Sequence, residues 1–261
     1  MITARQSYRQ FASRLRAKEP LTGTFIKTPT GHATEILGLL GFDFVVLDVE
    51  HAGIDVAALD QMLISARAAD VASIVRISET SPSKVLTALD LGANGILVPH
   101  IRTAEDASGI VAACRYKGGT RGSANTTRAG DYGLVGFEAH ISKQDNEVVC
   151  LGMIEDVEAI EVIDDILSVR GLDGIFIGRG DLTAALGGKA IDDPATTVAV
   201  ETIAQAAKRR DIPVITIALD SADAVSLTKL GVTAVIIGSD QGFLIKGARA
   251  ALDSLTTFLK G

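Results

Sequence analysis

Tryptophan is absent from the 261 residues, and aromatic residues reach only 4%. Few stacking platforms are therefore available for single-stranded nucleic acid. Cysteine is scarce: Cys114 and Cys150 sit in apolar runs without metal-ligand spacing. They read as small buried thiols in a reducing compartment, not as a disulfide framework. Basic residues are outnumbered, 25 Lys and Arg against 32 Asp and Glu. The net charge of −7 argues against nucleic acid or an anionic membrane as the main partner. No run of about 18 apolar residues occurs, so no membrane span is expected. Residues 1–20 are basic through Arg5, Arg9, Arg14, Arg16 and Lys18, yet lack the apolar centre of a secretory signal. They read as an N-terminal helix with Phe11 and Leu15 on one face, and a cytoplasmic location is expected.

What is present is an ordinary globular balance, 47% apolar and 22% charged, arranged with a clear rhythm. Nearly continuous apolar runs at 23–28, 44–49, 73–77, 95–99, 148–154, 174–177, 213–219 and 234–238 read as strands covered on both faces. Helical stretches at 55–69, 83–91, 103–115, 156–170, 195–210 and 221–230 lie between them. Ser81-Pro82 and Asp193-Pro194 mark helix starts, while Gly92, Gly171 and Gly231 mark stops. Eight such units without a second core predict one (β/α)₈ barrel domain over 1–261. A doubly wound sheet is the alternative, disfavoured because no GxGxxG loop follows the first strand. Two polar stretches, 117–132 and 188–197, break the rhythm and read as lids or interface pieces. The last helix, 241–259, is apolar on more than one side and is expected to pack on a partner subunit as well as the barrel.

Chemistry in such a barrel collects at the carboxyl ends of the strands. There the sequence places Lys27, Asp48-Val-Glu50-His51, Arg76, His100, Glu155-Asp156, Gly178-Arg179-Gly180-Asp181, Asp220 and Asp240. Glu155 and Asp181 end neighbouring strands. Two carboxylates with no thiolate and few imidazoles suit a hard cation such as Mg²⁺ or Mn²⁺, unless Arg76 or Arg179 pairs with them instead. His51 has more acidic company than His32, His100 or His140 and is the candidate general base. Arg76 needs an anionic partner, either a substrate carboxylate or enolate or, within the protein, Glu155. Asp90 sits at a predicted helix C-terminus, where the macrodipole disfavours an anion, and so reads as serving another site. Backbone N–H groups of Gly178-Arg179-Gly180 are placed to hold a carboxylate.

The segments LGFDFVVLDVEHAGID, IVRISE, ALDLGANGILVPHI, GMIEDVEAIE and GLDGIFIGRGDLTAALG, in this order and spacing, resemble the HpcH/HpaI aldolase family over residues 20–238. The resemblance implies reversible cleavage of a 4-hydroxy-2-oxo acid to pyruvate and an aldehyde. It implies a divalent metal (Mg²⁺ or Mn²⁺, with Co²⁺ a further option) on Glu155 and Asp181, chelated by pyruvate through its keto and carboxylate oxygens. Arg76 would stabilise the enolate oxygen and His51, beside Asp48, would be the acid/base. Asp90 matches the family's Asp that pairs with that His across a subunit boundary, and a hexamer built as a trimer of dimers with exchanged terminal helices is implied. Three departures stand out: Met153 replaces a common Gln, Phe25 a common Trp, and Arg179 a common Pro. Arg179 is expected to add charge at the mouth and to favour an acidic aldehyde. A Schiff-base route would need a desolvated lysine, and Lys27, which ends a strand, is not used by the family.

The alternative is a related lyase or condensing enzyme of citrate-lyase or citrate-synthase type, using an acyl-CoA or oxaloacetate. Its CoA phosphates would need the basic run 115–128, with Lys117 and Arg121. A non-catalytic barrel is the third reading.

Overall fold

The strands close in chain order, β1 to β8, into a parallel barrel, and the doubly wound alternative falls. The computed structural model describes residues 8–260; the first seven residues, including Arg5, lie outside it. The strands are β1 (Leu21–Ile26), β2 (Phe44–Asp48), β3 (Ala72–Arg76), β4 (Gly95–Val98), β5 (Val149–Ile154), β6 (Gly174–Ile177), β7 (Val214–Ala218) and β8 (Ala234–Ser239). A short helix, α1 (Phe11–Arg16), precedes them; it is only part of the helix expected over 1–20. Around the barrel run α2 (Gly31–Leu40), α3 (Val56–Ala68), α4 (Pro82–Asp90), α5 (Ala104–Cys114), α6 (Phe137–Glu147), α7 (Val157–Glu161), α8 (Ile163–Leu167), α9 (Arg179–Ala185), α10 (Pro194–Arg209), α11 (Ser221–Leu230) and α12 (Asp240–Lys260).

The local signals work as their chemistry requires. Ser81 accepts from the Lys84 N–H and Asp193 from the Ala195 N–H, each with proline opening the helix behind it. Gly92, Gly171 and Gly231 take positive φ where helices stop. Thr103 and Asp106 form a capping box at α5. The single helix expected over 156–170 is instead two, broken at Val162 (φ −114°, ψ 20°). Helix α10 starts at Pro194, so the Asp/Pro loop is shorter than 188–197.

Strand parity decides what faces the mouth. Phe25, Val46, Ile74, Leu97, Leu151, Met153, Phe176, Ile215 and Ile236 share one buried cluster that fills the barrel, and Phe11 and Leu15 of α1 join it from below. Side chains alternate along a strand, so two residues beyond an interior residue the next inward position lies at the carboxyl end. That rule carries Phe25 to Lys27, Val46 to Asp48, Ile74 to Arg76, Met153 to Glu155, and Phe176 to Gly178. Four ionisable side chains thus share one rim.

One sector is less covered than the rest. In β8, Ile237 and Gly238 are exposed, whereas β2 to β6 are buried throughout. Helix α12 follows β8 directly and is tied to the end of β1, where Asp240 accepts the N–H groups of Lys27 and Thr28, and Phe243 lies 6.2 Å from Phe42. Beyond that its Leu244, Ile245, Leu252 and Leu255 are exposed, as are Ile36, Leu39 and Leu40 on α2.

Candidate active site

Asp48 is fully buried and takes Arg76 with both oxygens, from Nε at 2.9 Å and Nη2 at 2.7 Å. The two residues are partners in the β2–β3 register, so the pair is built by the sheet itself. Burial alone would raise the Asp48 carboxyl, but the Arg76 hydrogen bonds and charge override it and hold the group below the ordinary value. Lys27 Nζ stands 3.4 Å from the same carboxylate, and the His51 N–H donates to it at 3.1 Å. Arg76 also lies 3.4 Å from Glu50 and stacks over the Phe25 ring at 4.8 Å. Its Nη1 has no protein partner among the described residues. The His51 ring is about half exposed, with Nε2 3.6 Å from Glu50.

Glu155 lies on the same rim. Its side chain is 3% exposed, and its Oε1 accepts the His100 N–H at 2.9 Å. Burial pushes its carboxyl up to about 7; the His100 N–H opposes this, and the neighbouring Asp181 carboxyl adds to it. Both the burial and the neighbouring carboxyl favour a proton, or a cation, at Glu155. Gly178 makes the closeness possible, since a Cβ there would stand 2.6 Å from Glu155 Cβ and 2.7 Å from Oε2. The oxygen donors and the space between them suit a hard divalent cation.

His100 holds a left-handed backbone (φ 55°), and its Nδ1 meets Asp156 at 3.0 Å. Neither glycine nor asparagine stands at that turn. Phe25 and Met153 are both buried, Phe25 edge-on to Phe176 at 6.1 Å, so they form the floor.

Several expectations need correction. Arg179 does not present its charge at the mouth: it is buried, bonded to Asp223 and to the carbonyls of Ile217 and Ile191. The Gly178 N–H is spent on the Ile154 carbonyl at 3.0 Å. The N–H groups left at the first turn of α9 are those of Arg179, Gly180 and Asp181. Asp90 ends α4 and pairs within the chain with Arg121 at 3.3 Å; the pairing expected of it, with His51 of another subunit, lies outside a single chain. In the basic run the three arginines pair with carboxylates, while the exposed Lys117 meets a neutral hydroxyl. Arg115 is tied to Asp173, Lys117 to Ser142, Arg121 to Asp90 and Gln144, and Arg128 to Asp60.

The sequence profile of the HpcH/HpaI aldolase/citrate lyase family matches residues 21–247. The chain belongs to this family. Among curated relatives of this HpcH/HpaI chain, the 5-keto-4-deoxy-D-glucarate aldolase of Klebsiella pneumoniae is 33% identical over 94% of this chain and 96% of its own length. The protein of that name from Escherichia fergusonii is 34% identical over the same shares. Among solved structures, an HpcH/HpaI aldolase/citrate lyase family protein from Burkholderia cenocepacia superposes with a TM-score of 0.89. It is 28% identical, covering 95% of this chain and 99% of its own. The citrate synthase SbnG superposes at 0.85 and is 28% identical, over 96% and 98% of the two chains. The family and the relatives named as aldolases support a lyase, and no helix among the described residues is long and apolar enough to cross a membrane.

Proposed function

We propose that this chain is a divalent-metal-dependent aldolase that reversibly cleaves a 4-hydroxy-2-oxo acid to pyruvate and an aldehyde. The observation that carries the reading is the Glu155–Asp181 carboxylate pair, one member buried and raised to about 7, on the rim that also holds Arg76. Glu155 and Asp181 would hold the cation, Mg²⁺ or Mn²⁺. When bound, it supplies Lewis-acid stabilisation of charge developing on the substrate oxygens.

The chain's own groups supply the rest. Arg76, fixed by Asp48 and Phe25, keeps its Nη1 for the oxygen that becomes negative as the carbon–carbon bond breaks. His51, half exposed beside Glu50, takes the proton from the 4-hydroxyl on cleavage and passes it to the carbon freed from the broken bond, giving the pyruvate methyl; condensation reverses both transfers. The free N–H groups of Arg179 and Gly180 receive the pyruvate carboxylate. Lys27 is held at Asp48 and is not needed as a nucleophile.

The names of the relatives make a keto-deoxy sugar diacid the first substrate to try. Citrate-synthase-type condensation is supported by the likeness to SbnG, but the internally paired arginines of the basic run disfavour an acyl-CoA. A second copy would cover the exposed stripe of α12 and the thin sector at β8, in keeping with exchanged helices and a hexamer. Two buried free thiols fit a cytoplasmic setting.

The test is proton NMR of pyruvate in D₂O with metal-stripped protein, then with Mn²⁺ or Mg²⁺ restored. Methyl-proton exchange that appears only with metal is expected. Absence of exchange under both conditions would sink the aldolase reading.

A further inference from the structure

Arg179 sits where its charge was expected to meet substrate, and its side chain instead is 6% exposed. A guanidinium stays charged at any working pH, so burying it is tolerated only when its donors are matched. The match here reaches three separate segments. Nη1 donates to the Ile217 carbonyl of β7 at 3.0 Å and to Asp223 of α11 at 2.5 Å. Nη2 donates to the Ile191 carbonyl, in the connection between α9 and α10, at 3.2 Å. Nε is buried without a partner.

The backbone of the same residue is held as well. Its carbonyl accepts the Thr183 hydroxyl at 2.7 Å, and that hydroxyl meets Thr196 of α10 at 3.0 Å. Asp223 is itself anchored, accepting the Leu219 N–H at 2.9 Å and donating its own N–H to Asp220 at 2.8 Å.

Helix α9 needs such a hold. It has seven residues, and Gly178 at its start offers no side-chain cap. A helix of that length without a cap does not keep its own geometry. Asp181, two residues after Arg179, is exposed, so packing does not locate its carboxylate. Its placement against Glu155 is inherited from the first turn.

We propose that Arg179 is a positioning residue: it fixes the first turn of α9, and through it Asp181, for cation binding, without touching the cation. The proposal rests on the reading of Glu155 and Asp181 as the cation ligands. Residues that orient metal ligands typically contribute about 10–100-fold in affinity.

The test titrates Mn²⁺ into the metal-stripped full chain, following free Mn²⁺ by electron paramagnetic resonance, alongside thermal melting. Arg179→Met and Asp223→Asn are expected to weaken Mn²⁺ binding by about 10-fold or more. The double variant should be no weaker than the worse single one, and Arg179→Lys should recover part of the loss. Asp173→Asn is the control. Asp173 is also buried and paired, with Arg115 and Arg16, but precedes β6 at the opposite end of the barrel. It should lower the melting temperature and leave Mn²⁺ affinity unchanged. Wild-type affinity in a folded Arg179→Met protein overturns the proposal, as does an equal loss in Asp173→Asn. Should Arg179→Met fail to fold, Asp223→Asn decides by the same criterion. Wild-type protein that binds no Mn²⁺ removes the cation reading itself, and this proposal with it.

Discussion

Asp48 and Arg76 face each other across one rung of the β2–β3 ladder and close a two-pronged ion pair at 2.9 and 2.7 Å. The pair fixes the plane of the guanidinium, Phe25 supports that plane from below, and Nη1 is left for a substrate oxygen. Asp48→Asn keeps the shape but strands a buried cation, a change that costs about 3–5 kcal/mol. Chemical denaturation should show that loss, with pyruvate exchange falling in parallel. Unchanged stability would mean that Glu50 alone compensates Arg76.

The raised Glu155 carboxyl has a definite sign. Its value moves from the ordinary 4.5 to about 7 on folding, so the stability it contributes is full below 4.5 and is lost as the pH rises through 7. Metal-free protein should therefore lose melting temperature over that window relative to Glu155→Gln, which has no such proton. Added Mn²⁺ should restore the wild type near neutral pH and leave the variant unmoved. Parallel pH curves for the two metal-free proteins would contradict this.

Gly178→Ala tests the space between the carboxylates. The backbone there (φ −81°, ψ 77°) lies in the negative-φ half that alanine can adopt, so the effect is steric: the new methyl would stand 2.6 Å from Glu155 Cβ. Mn²⁺ affinity should fall by about 10-fold or more while the fold persists. Calorimetric titration reads the affinity and circular dichroism the fold.

The exposed stripe of α12 predicts self-association. Leu252→Asp with Leu255→Asp should reduce the mass measured by light scattering after gel filtration, without loss of the barrel's circular dichroism. A wild-type monomer would refute both the second copy and the exchanged helix.

Much of this was legible in the residues. All eight strand ends lie within two residues of where the apolar runs stop, because β-branched runs flanked by Gly, Pro and Asp admit little else. The stops of those runs are where Asp48, Arg76 and Glu155 stand, at the carboxyl ends of their strands. Arg179 misled because its decisive partner, Asp223, is 44 residues away, and local sequence carries no record of burial. At the α4 end, Arg121 lies 3.3 Å from Asp90, a partner that local sequence does not announce. The left-handed turn at His100 had no residue signature, since what holds it is the Glu155 carboxylate accepting its N–H. The break at Val162 was invisible for want of a proline or glycine.

The thin cover over β8 makes the barrel's stability uneven around its circumference. In an isolated subunit, backbone amides along the seam between β8 and β1 would trade hydrogen for deuterium sooner than those of β3 to β6, which are buried throughout. The β1 side of that seam leads to Lys27, whose own N–H is held by Asp240 at the head of α12. Association would then do more than set the size of the particle: it would govern how often the ring of strands breathes open beside the catalytic rim.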